Sequence, residues 1–376
     1  MSVPLAVRIL LHEKKRSSLA TGGMLVATLL IFLQLGFYYS VPAGGTVFYD
    51  ALQFDIVITG SDSVSQGQRN AFPRRRIYQS MALPEVKSVA AVYQGKARWD
   101  NEIEDVARDV FVMGFNPNDK AFRIAEIEQQ LPLLTRPDSI LIDRSTRREF
   151  GPLEPGRLVE INQRAVQIIG DYRIGTGFLA LGAAITSDLN FIRLFKGRTL
   201  SQVNLGLVTL QSGLNPRAAK QQIQQILPED STAWTREEFL SHERRHWATR
   251  TSAGLIFGFG VLVALIVGLV ILYQTLATQI ARQLPQFATL KAMGYTSGYL
   301  VRVVLAIGTM LIVMSYFPAA TLAAVIYSIM RRITILPIEM TTGRLIAVFL
   351  IGWAMSILSA LLCIRVLRRA DPVDLF

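Results

Sequence analysis

Apolar and polar positions separate along this chain over runs of twenty residues and more. Four segments, at 19–41, 251–277, 300–329 and 344–367, are almost continuously apolar. At 1.5 Å per helical residue, about 20 residues cross roughly 30 Å of hydrocarbon, so each is long enough for a transmembrane helix. Between the first two, residues 42–250 change character: short alternating runs, turn residues and mixed charge replace the apolar blocks. Period-two patterning predicts strands near 54–58, 88–99, 109–115, 139–143, 165–169 and 205–210. Helical spacing predicts helices at 74–81, 188–195 and 216–227, the last opening with Asn215 as cap and Pro216 in the first turn. The two ends of the segment combine strand, helix and strand into a small α+β unit, and the middle reads as an inserted β-rich lobe. Residues 236–250 read as a polar helix, carrying Arg236, Glu237, Arg244 and Arg245, that runs as a stalk directly into the second apolar segment. The expected fold is a membrane α-helical protein with four transmembrane helices and an inserted α+β extracytoplasmic domain.

Charge supplies an orientation. The formal net charge is +11, yet residues 42–250 hold 26 Lys/Arg against 24 Asp/Glu. The surplus therefore lies beside the apolar segments, where it anchors helices, and no basic domain is left to hold nucleic acid. Arg8, Lys14, Lys15 and Arg16 precede the first segment, and Arg365, Arg368 and Arg369 close the last. Both termini, 1–18 and 368–376, are accordingly expected in the cytoplasm of a plasma (inner) membrane protein, with the 278–299 loop. The short loop 330–343 then faces outward, against the rule, with Arg331, Arg332 and Arg344 at its ends. The first segment resembles a secretory signal in its charged start, but it exceeds the 7–15 residue core of a signal and meets Pro42 at the would-be cut, which favours an uncleaved anchor. The single cysteine, Cys363, lies in an apolar run and excludes intrachain disulfides.

Candidate chemistry is sparse. His242-Glu243-Arg244-Arg245-His246 matches H-E-x-x-H, in which two imidazoles one helical turn apart hold zinc and the glutamate acts as general base. A third ligand is missing: His12 is expected across the membrane, and no carboxylate follows until Glu339. A membrane-anchored zinc hydrolase through His242, Glu243 and His246 is thus an alternative, against a charged stalk helix. No phosphate-binding loop G-x-x-x-x-G-K-[ST] occurs, so the chain is not expected to be an enzyme or to bind ATP itself. No Asp, Glu or Lys interrupts the centres of the apolar segments, which argues against proton- or ion-coupled transport.

The polar interval 278–299 contains a short amphipathic stretch. Pro285 suits its start and Gly294 its end, while Phe287, Leu290 and Met293 fall on one face. The string Ala288-Thr-Leu-Lys-Ala-Met-Gly-Tyr295 resembles the cytoplasmic coupling segment of the MacB/FtsX-like ABC permease superfamily. The resemblance extends to the order of one span, a long outer domain, three spans and the ending Ala370-Asp-Pro-Val-Asp-Leu-Phe376. Within it, Phe32-Leu-Gln-Leu-Gly-Phe37, Gly114-Phe-Asn-Pro117, Asp143-Arg-Ser145, Glu149-Phe-Gly-Pro152 and Thr186-Ser-Asp-Leu-Asn-Phe191 are similar to the DevC-type permeases of cyanobacterial exporters. Gln286 departs from the glutamate such permeases often carry there. The resemblance implies a homodimer in membrane lipid, a separate ABC ATPase that binds ATP and Mg and docks at Gln286, Phe287, Leu290, Lys291, Met293, Gly294 and Tyr295, a periplasmic adaptor and an outer-membrane TolC-like channel. It implies export of a lipid, glycolipid or other hydrophobic cargo by mechanotransmission, with an FtsX-like regulatory role without cargo as the alternative.

Overall fold

A computed structural model describes residues 14–63, 65, 70–101, 106–334 and 337–368. In chain order the elements are α1 (Lys14–Ala51), β1 (Ile56–Gly60), β2 (Phe72–Pro73), α2 (Arg75–Ser80), β3 (Val86–Asn101), β4 (Val106–Phe115), α3 (Ala125–Glu128), β5 (Ser139–Asp143), β6 (Leu158–Ile161), β7 (Arg164–Tyr172), β8 (Gly182–Ser187), α4 (Asp188–Leu194), β9 (Gln202–Val203), β10 (Leu205–Leu210), α5 (Pro216–Ile226), β11 (Ser231–Thr235), α6 (Arg236–Thr249), α7 (Ser252–Ala292), α8 (Ser297–Thr334) and α9 (Thr342–Arg368). Four of these helices are long and apolar enough to cross a membrane. Two compact units result: α1 up to Ser40 with α7, α8 and α9, and the segment Val41–Thr251.

The helical unit packs Phe32, Leu272, Leu276, Val303, Ile307, Leu311 and Val348 into one core. Close approach depends on small residues. Gly36 leaves no room for a Cβ beside Tyr327, whose hydroxyl donates to the Phe32 carbonyl. Along α7, Leu255, Ile256, Phe259, Leu262, Val263 and Ile266 stay exposed, as a side facing acyl chains does.

In the second unit nine strands are ordered β11-β1-β10-β3-β4-β8-β5-β7-β6. The long strand β3 serves two structures. Its first half, Val86–Val92, pairs with β10, joining the early strand β1 to the late strands β10 and β11. Its second half forms a hairpin ladder with β4 from Val92↔Phe115 to Asn101↔Val106. Trp99↔Ile161 and Asp100↔Glu160 then bring β6 back to β3, closing β3-β4-β8-β5-β7-β6 into a small barrel. A closed ring removes the edges that an inserted β lobe would otherwise expose. Trp99 and Phe150 pack edge to face inside it, with ring centroids 5.4 Å apart.

Several expectations are corrected. The change of unit falls between Ser40 and Val41, beside the expected end of the first span at 41, but the helix does not stop there: α1 runs through Pro42 to Ala51. Proline costs one ladder bond; against that, Phe48 and Tyr49 bury completely in the second unit's core. The stalk does not run directly into the second span: α6 ends with Arg250 as cap, and α7 begins at Ser252. Nor is α6 polar all round, since Phe239, Leu240 and Glu243 are buried. Pro285 opens no separate helix; it lies inside α7, which continues to Ala292. Strands β2, β6, β8, β9 and β11 went unpredicted; β8 is buried throughout and offers no alternation to read.

Candidate functional site: a helix joint and an exposed helix end

The last turn of α1 would leave backbone carbonyls without partners. Arg236, the first residue of α6, supplies most of what is missing. Its Nη1 donates to Leu52 O at 3.0 Å, and its Nη2 to Asp50 O at 3.1 Å and Tyr49 O at 3.4 Å. The backbone N–H of Arg123 reaches Ala51 O at 2.9 Å. The Arg236 guanidinium also lies 4.7 Å over the Phe54 ring. Phe239, one turn further along α6, meets Tyr49 edge to face at 4.8 Å. Burial, then the neighbouring Arg123 guanidinium, lowers the Arg236 pKa; Asp50 and Asp55 oppose this, and Arg244 adds to it. Asp50 stands 4.0 Å from Arg236 and 3.5 Å from Arg244.

Local sequence explains why α6 starts there. Thr235 and Glu238 form a capping box, the threonine hydroxyl accepting from Glu238 N–H and the carboxylate from Thr235 N–H. The other expected stalk residues divide. Arg244 joins Asp50, Glu237 pairs with Arg217 at 3.5 Å on the surface, and Arg245 is exposed.

A second contact reaches α1 from the barrel side. Buried Asp143 accepts backbone N–H bonds from Ser145 at 2.7 Å, Ile174 at 3.0 Å and Gly175 at 2.8 Å, so it fixes the loop after β7. That loop presents Gly177, at φ +58°, to the Gly44 carbonyl with no room for a Cβ. Gly45 is likewise closed by the Trp247 indole of α6, whose ring centroid lies 6.4 Å from that of Phe178. Residues 41–51 of α1 are thus held by α6 and by the 173–181 loop together. Asp50, Arg123, Gly44, Gly177 and Phe178 escaped sequence reasoning because their partners lie far away in the chain. The Asp143-Arg-Ser145 string was legible, but only as a likeness.

The coupling stretch forms the last turns of α7. Gly294 stops the helix at φ +91°, and Tyr295 N–H reaches back to Leu290 O at 3.1 Å, a Schellman-type closure. Gln286, Met293 and Tyr295 are exposed, whereas Leu290 is half-buried against the helical core. The structure therefore does not present Phe287, Leu290 and Met293 as one open face: Leu290 turns inward, and the side chains of Phe287 and Lys291 lie outside those described. Tyr295 packs on Tyr299 with ring centroids 4.8 Å apart.

The H-E-x-x-H string sits on α6. His242 lies over Trp234, with ring centroids 5.1 Å apart, and Glu243 is fully buried. Among the described residues no three His, Cys, Asp or Glu gather as metal ligands. At the start of α2, Arg76 forms a 2.8 Å ion pair with Asp230, and Arg74 donates to Tyr78 and Tyr93.

One membrane-length helix, a folded domain and three more such helices define an integral membrane protein with its domain in the first interval. Residues 17–226 match the MacB-like periplasmic core domain, and residues 258–372 match the FtsX-like permease C-terminal region. The chain belongs to the MacB/FtsX-like ABC permeases. No curated protein matches it. Among solved structures it is similar to the periplasmic region of MacB from Actinobacillus actinomycetemcomitans, at 12% identity over 48% of this chain and 88% of that one, with TM-score 0.36. It is also similar to the extracellular domain of the ABC-type transporter YknZ from Gram-positive bacteria, at 14% identity over 48% and 99%, with TM-score 0.33. The protein is an inner-membrane ABC-type permease with a periplasmic-type domain, of a family that works with ABC ATPases.

Proposed function

We propose that this chain is the DevC-type export subunit of a tripartite system, transmitting ATP-driven movement from a separate ATPase to its outer domain. The observation that carries the reading is the Gly294-stopped end of α7, which leaves Gln286, Met293 and Tyr295 exposed at the end of a membrane-length helix. Both termini and this end face the cytoplasm, where two ATPase subunits holding ATP and Mg dock on a permease homodimer. Displacement of the helices reaches residues 41–51 of α1, and the Arg236 joint and the 173–181 loop pass it to the sheet and barrel. The outer domain then acts on a lipid, glycolipid or other hydrophobic cargo held by a periplasmic adaptor beneath a TolC-like channel.

The test is co-purification of the ATPase with full-length permease. Replacing Met293→Asp and Tyr295→Asp together puts two charges on an apolar contact and is expected to cut ATPase recovery at least tenfold, with the outer domain's thermal melt unchanged. Recovery at the parent level would refute the docking assignment.

A further inference from the structure

Two of the three arginines that oppose the charge bias of the loops meet at one acidic residue. Arg331 and Arg332 lie in the last turn of α8, and Arg344 in the first turn of α9. Arg331 Nη1 stands 3.8 Å from the Glu339 carboxylate, while Arg344 Nη1 donates to the Glu339 backbone carbonyl. Exposed Arg332 follows Arg331 in the same turn, so three cationic side chains and one carboxylate lie at this end of the two helices. Arg344 is 9% exposed, its guanidinium lies 5.8 Å over Tyr39 and 5.4 Å over Tyr327, and its Nε has no partner among the described residues.

The same end supplies more donors. Thr341 accepts two first-turn amides of α9, its Oγ1 the Arg344 N–H at 3.3 Å and its carbonyl the Leu345 N–H at 3.1 Å, while the Thr342 and Gly343 amides have no acceptor within the helix. Gly343 borders open space, so the backbone there is approachable. Beginning one turn further along α9, Ile346, Leu350 and Trp353 are exposed at helical spacing. A soluble anion would use the charge and leave that strip bare. A lipid uses both.

We propose that this end of α8 and α9 binds the phosphate headgroup of an anionic membrane lipid, with its acyl chains along Ile346, Leu350 and Trp353. Keeping three arginines on the disfavoured side of a membrane works against topology, and a bound phosphate compensates the surplus positive charge. The permease reading enters only in assigning the site to the outer-domain leaflet, where it would hold an amphiphile next to the export machinery.

Native mass spectrometry of the full-length chain in detergent, titrated with phosphatidylglycerol, tests this. Arg331→Gln with Arg332→Gln is expected to weaken phosphatidylglycerol retention about tenfold or more, at roughly fivefold for each cation lost near a headgroup. Arg282→Gln, at the other end of α7, is expected to leave retention unchanged, and all variants must melt like the parent. Parent-like retention by the double variant, equal retention of phosphatidylcholine, or displacement of the lipid by millimolar inorganic phosphate would each overturn the proposal. Met293→Asp with Tyr295→Asp leaves this readout untouched, so failure of ATPase docking and failure of the lipid site are distinguishable.

Discussion

Replacing Arg236→Met keeps much of the aliphatic length of the side chain and removes its donors. The two shorter bonds, to Leu52 O and Asp50 O at 3.0 and 3.1 Å, are charge-assisted, and such bonds contribute about 1.5–3 kcal/mol each. The contact over Phe54 adds about 0.5–2 kcal/mol. Against these stand the cost of desolvating the guanidinium of a side chain that is 22% exposed and its repulsion by Arg123 and Arg244. The net loss is expected to be about 2–3 kcal/mol, most of it from leaving α1 carbonyls unsatisfied. For a unit of this size, that lowers the melting temperature by about 4–12 °C. Three of the four tryptophans, Trp99, Trp234 and Trp247, lie in the outer unit, so intrinsic fluorescence during a thermal ramp of the full-length chain in detergent reports its unfolding. Arg236→Lys keeps the charge but not the fork and is expected to fall between parent and methionine. Exposed Arg245→Ala is expected to shift the melt by less than about 1 °C. A methionine variant that melts with the parent, or an Arg245 variant that falls equally far, would refute the joint as described.

Two further outcomes follow from the outer unit. Gly177→Ala sets a Cβ against the Gly44 carbonyl at a left-handed backbone position and is expected to cost about 2–4 kcal/mol. Freeing the loop should speed tryptic cleavage after exposed Arg173, and an unchanged digestion rate would show that the loop does not bear on α1. The second outcome concerns acid. Hydrogen bonding to Arg76, then to Ser231, holds the Asp230 carboxyl below its ordinary range, as Arg164 does for Asp138. A lowered folded-state pKa gives stability that is present above the unfolded value of about 3.9 and is lost as pH falls through the folded one. The melt of the outer unit should therefore drop below about pH 4, and Asp230→Asn should flatten that drop while lowering the melt at neutral pH. Parallel acid profiles for parent and variant would show that this pair carries no pH-linked stability.

The sequence by itself determined the membrane plan, because hydrophobic length is a property of consecutive residues: the four spans, the outer domain between the first two and the Gly294 stop were all readable one segment at a time. The strands Ser139–Asp143 and Leu205–Leu210 and the start of α5 at Pro216 were legible for the same local reason. Element ends were less so. Pro42 and Pro285 read as boundaries, yet both sit inside helices, where continuation of the helix outweighs one lost ladder bond. What holds α1 to the outer unit was decided only by the tertiary structure. Arg236 and Leu52 stand on opposite sides of the whole domain in sequence, as do Gly44 and Gly177 across most of it, and no spacing rule joins them. Arg331, Arg332 and Arg344 fall between these cases. Their breach of the charge rule was visible along the chain, and only folding placed Arg331 and Arg344 on the same residue.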